Sequence, residues 1–233
     1  MKADVDLARV VPAGDAAALA VLGDEMSVEM SGRVRALARA VGQAGLAGVR
    51  DVVPSYCTLL IHYEPLLLSF HDVCSLVVGL LERGLEPETS EPRLREIPTV
   101  YGGAYGPDLP VVAERLGLTE EEVVRLHAGA TYTVCTLGFA PGQPYVVGLP
   151  PRLMLPRRDS PRQLVPAGSV TIANQTNAYP LPNPTGWWWI GRTSVKLFDP
   201  SADPPTYLQP GDRIRFLPIT EDEYLRLGGE RAS

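Results

Sequence analysis

Proline is distributed unevenly along this chain of 233 residues, and the asymmetry limits what each part can fold into. Of its 23 prolines, 15 lie from Pro141 to Pro218 and only 8 come earlier. Because proline lacks a backbone N–H and blocks helix interiors, the proline-rich part is restricted to short strands joined by turns.

The earlier part shows alternating helix and strand patterns. Apolar residues at helical spacing predict a helix over Val28–Ala44, and Ser69-x-x-Asp72 predicts a capping box that opens a second helix. Between these helices, the β-branched and aromatic runs Val49–Val53 and Thr58–Tyr63 predict two paired strands. This order is typical of a small α+β domain with two layers, an α/β sandwich.

A Pro/Glu/Ser segment at Pro87–Pro92 has the composition of a linker. After it, Thr119-x-x-Glu122 predicts a capping box, and Asp108 is expected to cap a short helix before it. Runs rich in β-formers then predict a barrel or sandwich. These runs are Tyr132–Leu137, Tyr145–Gly148, Ser169–Ala173, Trp187–Ile190, Val195–Phe198 and Arg213–Pro218. We therefore predict an α+β protein with domains at 1–92 and 93–233.

Composition excludes several classes of function. The formal net charge is −6 and the pI is near 5.2, so a general nucleic-acid binder is not expected. No apolar run is long enough to span a bilayer, and no export signal is visible, which favours the cytoplasm. Three cysteines without a Cys/His cluster encode neither a disulfide framework nor a metal site. P-loop and Rossmann motifs are absent as well.

Two segments are candidates for ligand binding. The run from Gly138 to Tyr145 contains two glycines and two prolines, so its backbone can approach a ligand closely or can simply form a rigid barrel corner. Residues 174–177 offer four polar side chains, which suit either a polar substrate or an exposed turn.

Single residues leave similar alternatives open. Arg192, between Gly and Thr, suits a forked contact to a carboxylate or phosphate, or a structural ion pair. His127 ends a helix and is either a C-terminal partner of that helix or a proton-transfer group. Of the three adjacent tryptophans, two are expected in the core and one, with Trp188 as the candidate, on an exposed interface.

A series of motifs resembles one family in order and spacing. The chain is similar to the B subunit of bacterial 5-oxoprolinase, a family also called allophanate hydrolase subunit 1 and the sporulation-kinase inhibitor family. The motifs are Val123–His127, Gly138-Phe139-x-Pro141-Gly142, Pro144-Tyr145, Gly148–Pro150, Pro156-Arg157, Pro161-Arg162, Val165–Val170, Gln175-Thr176, Ile190–Thr193, Leu197–Pro200 and Leu208–Arg213.

The resemblance implies a cyclophilin-like barrel for the second domain and two partners, the C and A subunits. Such complexes hydrolyse the lactam of 5-oxoproline to glutamate, and they consume ATP in doing so. The resemblance implies that the ATP site is shared with the partner subunits and that Mg²⁺ is a candidate companion ion. The chain alone is expected to be inactive. The implied catalytic residues are His127 and Arg192, with no metal ligands. The implied substrate or nucleotide ligands are Gly138, Phe139, Pro141, Gly142, Gln143, Tyr145, Arg157, Arg162, Gln175 and Thr176.

The sequence departs from the family pattern in the same loops. Gln143 stands where an aromatic Phe is usual, and Asn177 and Thr185 each replace a glycine. The stretch before Gln175 also lacks one glycine. These differences leave alternative substrates open, such as allophanate in a urea-carboxylase-like protein. A regulatory protein that binds a histidine kinase is a further alternative.

Overall fold

The computed structural model describes residues 9–86 and 91–231. The chain divides into two compact units, with the boundary between Glu91 and Pro92. Residues 87–90 of the expected linker lie outside the described ranges. Within those ranges, no helix combines the length and apolarity needed to cross a membrane.

The first unit is a four-stranded antiparallel sheet with two helices. The sheet order is β1-β2-β4-β3, and each neighbouring pair is antiparallel. The elements are β1 (Arg9–Pro12), β2 (Ala17–Val21), α1 (Val28–Ala44), β3 (Val49–Pro54), β4 (Thr58–Tyr63) and α2 (Phe70–Arg83). The prediction of both helices and of the β3–β4 pair is confirmed.

Local signals explain these elements. Ser27 accepts a hydrogen bond from the backbone of Met30 and so caps α1, which ends at Gly45 in the left-handed conformation. Alternate residues of β4 are buried, among them Leu59 and Ile61, and pack with the apolar faces of both helices. Val28, the first residue of α1, is half exposed.

The second unit is built on a seven-stranded, barrel-like sheet with few helices. Its order is β10-β9-β12-β5-β13-β6-β7, and the two edge strands β10 and β7 lie against each other, which nearly closes the sheet. A separate pair, β11-β8, lies outside it. The elements are β5 (Leu94–Tyr101), α3 (Leu109–Leu116), α4 (Glu120–Gly129), β6 (Tyr132–Leu137), β7 (Pro144–Val147), β8 (Arg162–Val165), β9 (Ser169–Ile172), β10 (Thr176–Ala178), β11 (Asn183–Thr185), β12 (Trp188–Thr193), β13 (Arg213–Pro218) and α5 (Glu221–Arg226).

One local expectation for this unit is wrong: the segment Val195–Phe198 forms no strand, and only Phe198 makes an isolated bridge, to Thr206. Asp108 occupies the N-cap position of α3, as predicted, but it makes no capping hydrogen bond because its carboxylate is bound by Arg158 and Arg162. The capping box of Thr119 and Glu122 is confirmed at α4.

Candidate functional site

A small polar cavity lies beside the loop between β6 and β7. Its volume is ≈ 200 Å³, below the usual range for drug-sized ligands, so it suits a small molecule. Four of the residues expected to bind ligand line it. With the other lining residues they are Phe139, Gln143, Tyr145, Arg157, Asn177, Tyr179, Pro184, Thr185, Gly186 and Trp187.

Glycine and proline give the loop its shape. Gly142 has φ 78°, and a Cβ there would lie 2.8 Å from the carbonyl oxygen of Leu197, so the backbone must pass too close for a side chain. Phe139 also has a positive φ of 66°, which is uncommon for a residue with a side chain and stores strain. Its ring is 70% exposed at the cavity mouth.

Gln143 is the most unusual residue of the cavity. Its side chain is buried, with 1% exposed, yet its Oε1 has no hydrogen-bond partner. Leaving a buried acceptor unpaired costs free energy, and native structures rarely retain one without a reason. Gln143 lines the cavity, but Oε1 itself is covered by protein, so a ligand donor would satisfy it once the amide turns toward the cavity.

We expect Gln143→Met to stabilise the second unit by about 1 kcal/mol, because it removes the unpaired amide and keeps an unbranched side chain of similar length. Chemical denaturation followed by tryptophan fluorescence measures this, since all three tryptophans lie in this unit. Gln209→Met, on a half-buried glutamine outside the cavity, is the control. A loss of stability in Gln143→Met would show that the amide is already paired.

Charge and further hydrogen-bonding groups surround Gln143. Arg157 is exposed, and its stem packs over Gly186 on the cavity wall. Burial raises the pKa of Tyr145, with a contribution from Tyr179, and Arg157 acts in the opposite direction. The Tyr145 hydroxyl therefore stays protonated at neutral pH. The cavity thus combines a cation with neutral donors and an acceptor.

The wall opposite the loop is held by an internal network. The Tyr179 hydroxyl donates to Thr185 Oγ1 at 2.8 Å, and the same oxygen accepts from the backbone of Trp187 at 2.9 Å. Asn177 Oδ1 accepts from the hydroxyl of Thr171 at 2.8 Å. Three positions that depart from the family pattern, 143, 177 and 185, therefore line one cavity.

The structure does not bring the three candidate arginines together. Arg162 is bound to the buried carboxylate of Asp108, at 2.6 Å and 3.1 Å. Arg192 lines two other cavities and contacts Glu230. Of the three, Arg157 alone lines the cavity of Gln143, so they do not form one anion site there.

His127 lies in the core of the second unit rather than at a cavity. Its ring has no exposed surface, and burial lowers its pKa to about 3. The Thr176 hydroxyl donates to Thr171 O, so it accepts from His127 Nε2, and Nδ1 then accepts from the Tyr101 hydroxyl. His127 and Thr176 are both buried and neither lines the Gln143 cavity, so the expected roles of His127 in proton transfer and of Thr176 in substrate binding stay predictions that this cavity does not support.

The remaining candidates have clear positions. Gly138 and exposed Pro141 shape the cavity loop, and Gln175 is half-buried outside the cavity lining. Trp188 is 5% exposed, and the guanidinium groups of Arg115 and Arg158 both lie over its ring, so its expected exposure at an interface is wrong. Sequence reasoning missed Tyr179, which has no local motif, and it assigned no ligand contact to Trp187.

Known sequences resemble the chain over most of its length. A family model for the carboxyltransferase domain, subdomains C and D, matches residues 8–208. The chain is 56% identical over 138 residues to the 5-oxoprolinase B subunit of Escherichia coli O157:H7, across 59% of this chain and 62% of that protein. It is 37% identical over 222 residues to the 5-oxoprolinase B subunit of Bacillus subtilis (strain 168), across 91% and 92%.

Solved structures agree with this. The crystal structure of TTHA0988 aligns with a TM-score of 0.78 at 41% identity and covers 88% of this chain, which spans 40% of that longer chain. The Kluyveromyces lactis urea amidolyase, at 19% identity and a TM-score of 0.75, shares the fold over 93% of this chain and 15% of its own. The chain therefore belongs to the carboxyltransferase-domain family of subdomains C and D, in the branch of the 5-oxoprolinase B subunits.

Proposed function

We propose that this chain is the B subunit of an ATP-dependent 5-oxoprolinase complex, inactive without its partner A and C subunits, and that the Gln143 cavity holds 5-oxoproline. The unpaired Oε1 of Gln143 supports this most directly. The lactam of 5-oxoproline carries one N–H, which this acceptor can bind when the Gln143 amide turns toward the cavity. Its carboxylate suits the guanidinium of Arg157.

The lactam carbonyl is the group that must become more electrophilic for hydrolysis. A donor beside that oxygen stabilises the negative charge that develops on it. Tyr145, whose hydroxyl stays protonated, is a lining group that can donate there. In this proposal the chain binds and orients the lactam, with Gln143 and Arg157 fixing its two ends.

ATP and Mg²⁺ do not fit this cavity. Its ≈ 200 Å³ is small for a nucleotide, and its lining residues include no carboxylate. Among the described residues, no group of three or more His, Cys, Asp or Glu could hold a metal ion. The proposal therefore leaves the ATP-consuming step to surfaces completed by the partner proteins.

Arg157→Gln is expected to raise the KM for 5-oxoproline about 10- to 100-fold in the reconstituted complex, since it removes a charge-assisted contact to the substrate carboxylate. Glutamate release is measured with ATP and candidate A and C subunits, and with each of the three proteins omitted in turn. Arg215→Gln, on an exposed arginine of β13 outside the cavity, controls for the lost charge.

The proposal fails if Arg157→Gln keeps the KM of the unmodified protein in an active complex. It also fails if this chain alone releases glutamate at the rate of the full mixture. A complex that forms but acts on allophanate in place of 5-oxoproline would reassign the substrate, and the cavity would then serve a different amide.

A further inference from the structure

Arg192 is a buried cation with weak compensation. Its side chain on β12 is 9% exposed, and its Nε donates to the carbonyl of Ala167 at 3.0 Å. The other two guanidinium nitrogens reach Glu230 at 3.5 Å (backbone oxygen) and 3.3 Å (carboxylate). The Glu230 side chain is 84% exposed, so water screens this pair. Burying a charge without a close partner is costly, and a better anion would relieve that cost.

Two cavities open onto this guanidinium. The larger measures ≈ 560 Å³, within the range of ligand sites, and the smaller ≈ 330 Å³. The larger cavity is also lined by a second cation, Arg231, and by apolar side chains that include Trp189 and the exposed Leu164. Neither cavity shares a lining residue with the Gln143 cavity.

Trp189 is held firmly at this wall. Its indole Nε1 donates to the carbonyl of Gly191 at 2.8 Å, and its backbone N–H donates to Asp108 at 2.9 Å. A fixed aromatic beside two arginines is a suitable surface for a flat group attached to an oxyanion. The cavity therefore has separate places for the two parts of such a ligand.

The backbone conformation at two glycines places Glu230 beside Arg192. Gly228 has φ 85°, and Gly229 donates to the carbonyl of Tyr224 at 3.0 Å. A Cβ on Gly229 would overlap the Tyr224 ring, so only glycine lets the chain fold back over it. Glu230 then lies where the carboxylate or phosphate of a ligand would contact Arg192.

We propose that the ≈ 560 Å³ cavity is a second binding site, for a small molecule in which a phosphate is attached to a flat apolar group, as in a nucleoside monophosphate. The phosphate contacts Arg192 and Arg231, and the flat group packs against Trp189. Glu230 occupies the phosphate position in the absence of ligand and is displaced when it binds. This inference stands independently of 5-oxoproline binding.

Calorimetric titration with AMP, adenosine and inorganic phosphate tests the site. AMP is expected to bind more tightly than adenosine or phosphate, since only AMP joins both parts. Glu230→Gln removes the competing carboxylate from an exposed position and is expected to tighten AMP binding about tenfold, whereas Arg192→Gln weakens it about 10- to 100-fold. Arg157→Gln and Arg215→Gln, which carry the same charge change elsewhere, are expected to leave it unaltered.

Equal affinity of the unmodified protein and Glu230→Gln for AMP would overturn the proposal. So would AMP binding no tighter than phosphate, because the apolar walls would then contribute nothing. Tryptophan fluorescence reports whether Arg192→Gln folds; if it does not, the exposed Glu230→Gln variant decides the question. A changed affinity in Arg157→Gln would place AMP in the Gln143 cavity and would also overturn this assignment.

Discussion

Asp108→Asn is expected to lower the free energy of unfolding of the second unit by about 3 kcal/mol, because it leaves two partly buried guanidinium groups without their counter-charge. Asp108 is 2% exposed, and its carboxylate lies 2.7 Å from Arg158 and 2.6 Å from Arg162. It also accepts from the backbone N–H of Trp189. One carboxylate thus joins residues 158–162 and the strand of Trp189 to the start of α3.

Urea denaturation followed by tryptophan fluorescence measures this loss. All three tryptophans belong to the second unit, so the signal does not include unfolding of the first. Lys196→Gln is the matched control: it breaks the exposed pair with Asp199 and is expected to cost less than about 1 kcal/mol. Similar losses in the two variants would show that Asp108 acts as an ordinary surface carboxylate.

Acid is expected to destabilise the same unit through His127. Its pKa is about 3 in the folded protein and near 6.5 when unfolded, so the unfolded chain binds more protons between these values. Stability from the neutral ring is complete above pH 6.5 and falls as the pH drops toward 3. The slope approaches about 1.4 kcal/mol per pH unit, or about 2 kcal/mol between pH 6.5 and 5.

The interval between pH 6.5 and 5 isolates this effect, because ordinary carboxylates stay ionised there. The neighbours that hydrogen-bond the ring, Tyr101 and Thr176, carry no charge in it. His127→Gln is expected to be less stable at neutral pH but to lose the slope. The control His71→Gln changes an exposed histidine and is expected to keep the slope of unfolding free energy against pH. If His127→Gln kept that slope as well, the acid sensitivity would belong to other groups.

Local patterns predicted the elements whose signals are local. The capping residues Ser69 and Thr119 and the β-branched and aromatic run of β4 each act within a few positions, and the structure has those elements where expected. Strands β8, β10 and β11 have three or four residues, too few for a period to show. Asp108 is a residue type that is common at helix N-caps, but its carboxylate binds Arg158 and Arg162. These lie 50 and 54 positions away, too far for a local sequence pattern to predict.

The same distinction between local and three-dimensional causes applies to the candidate site. Glycine and proline marked the loop that carries Phe139 and Gln143, because backbone restriction is visible in sequence. The unpaired oxygen of Gln143 depends on what surrounds it in three dimensions, as does the burial of His127. The family resemblance implied catalytic roles for His127 and Arg192, and neither lines the Gln143 cavity.

Strand β5 lies in the middle of the seven-stranded sheet, yet its neighbours β12 and β13 come much later in the chain. During synthesis the first unit can pair its strands early, since its hairpins connect neighbouring segments. The second sheet cannot assemble around β5 until residues 213–218 have left the ribosome. Such distant pairing slows folding and leaves apolar strand edges open to aggregation meanwhile. Yield in the cell should therefore depend on translation rate and chaperone supply more than on the final stability of the protein.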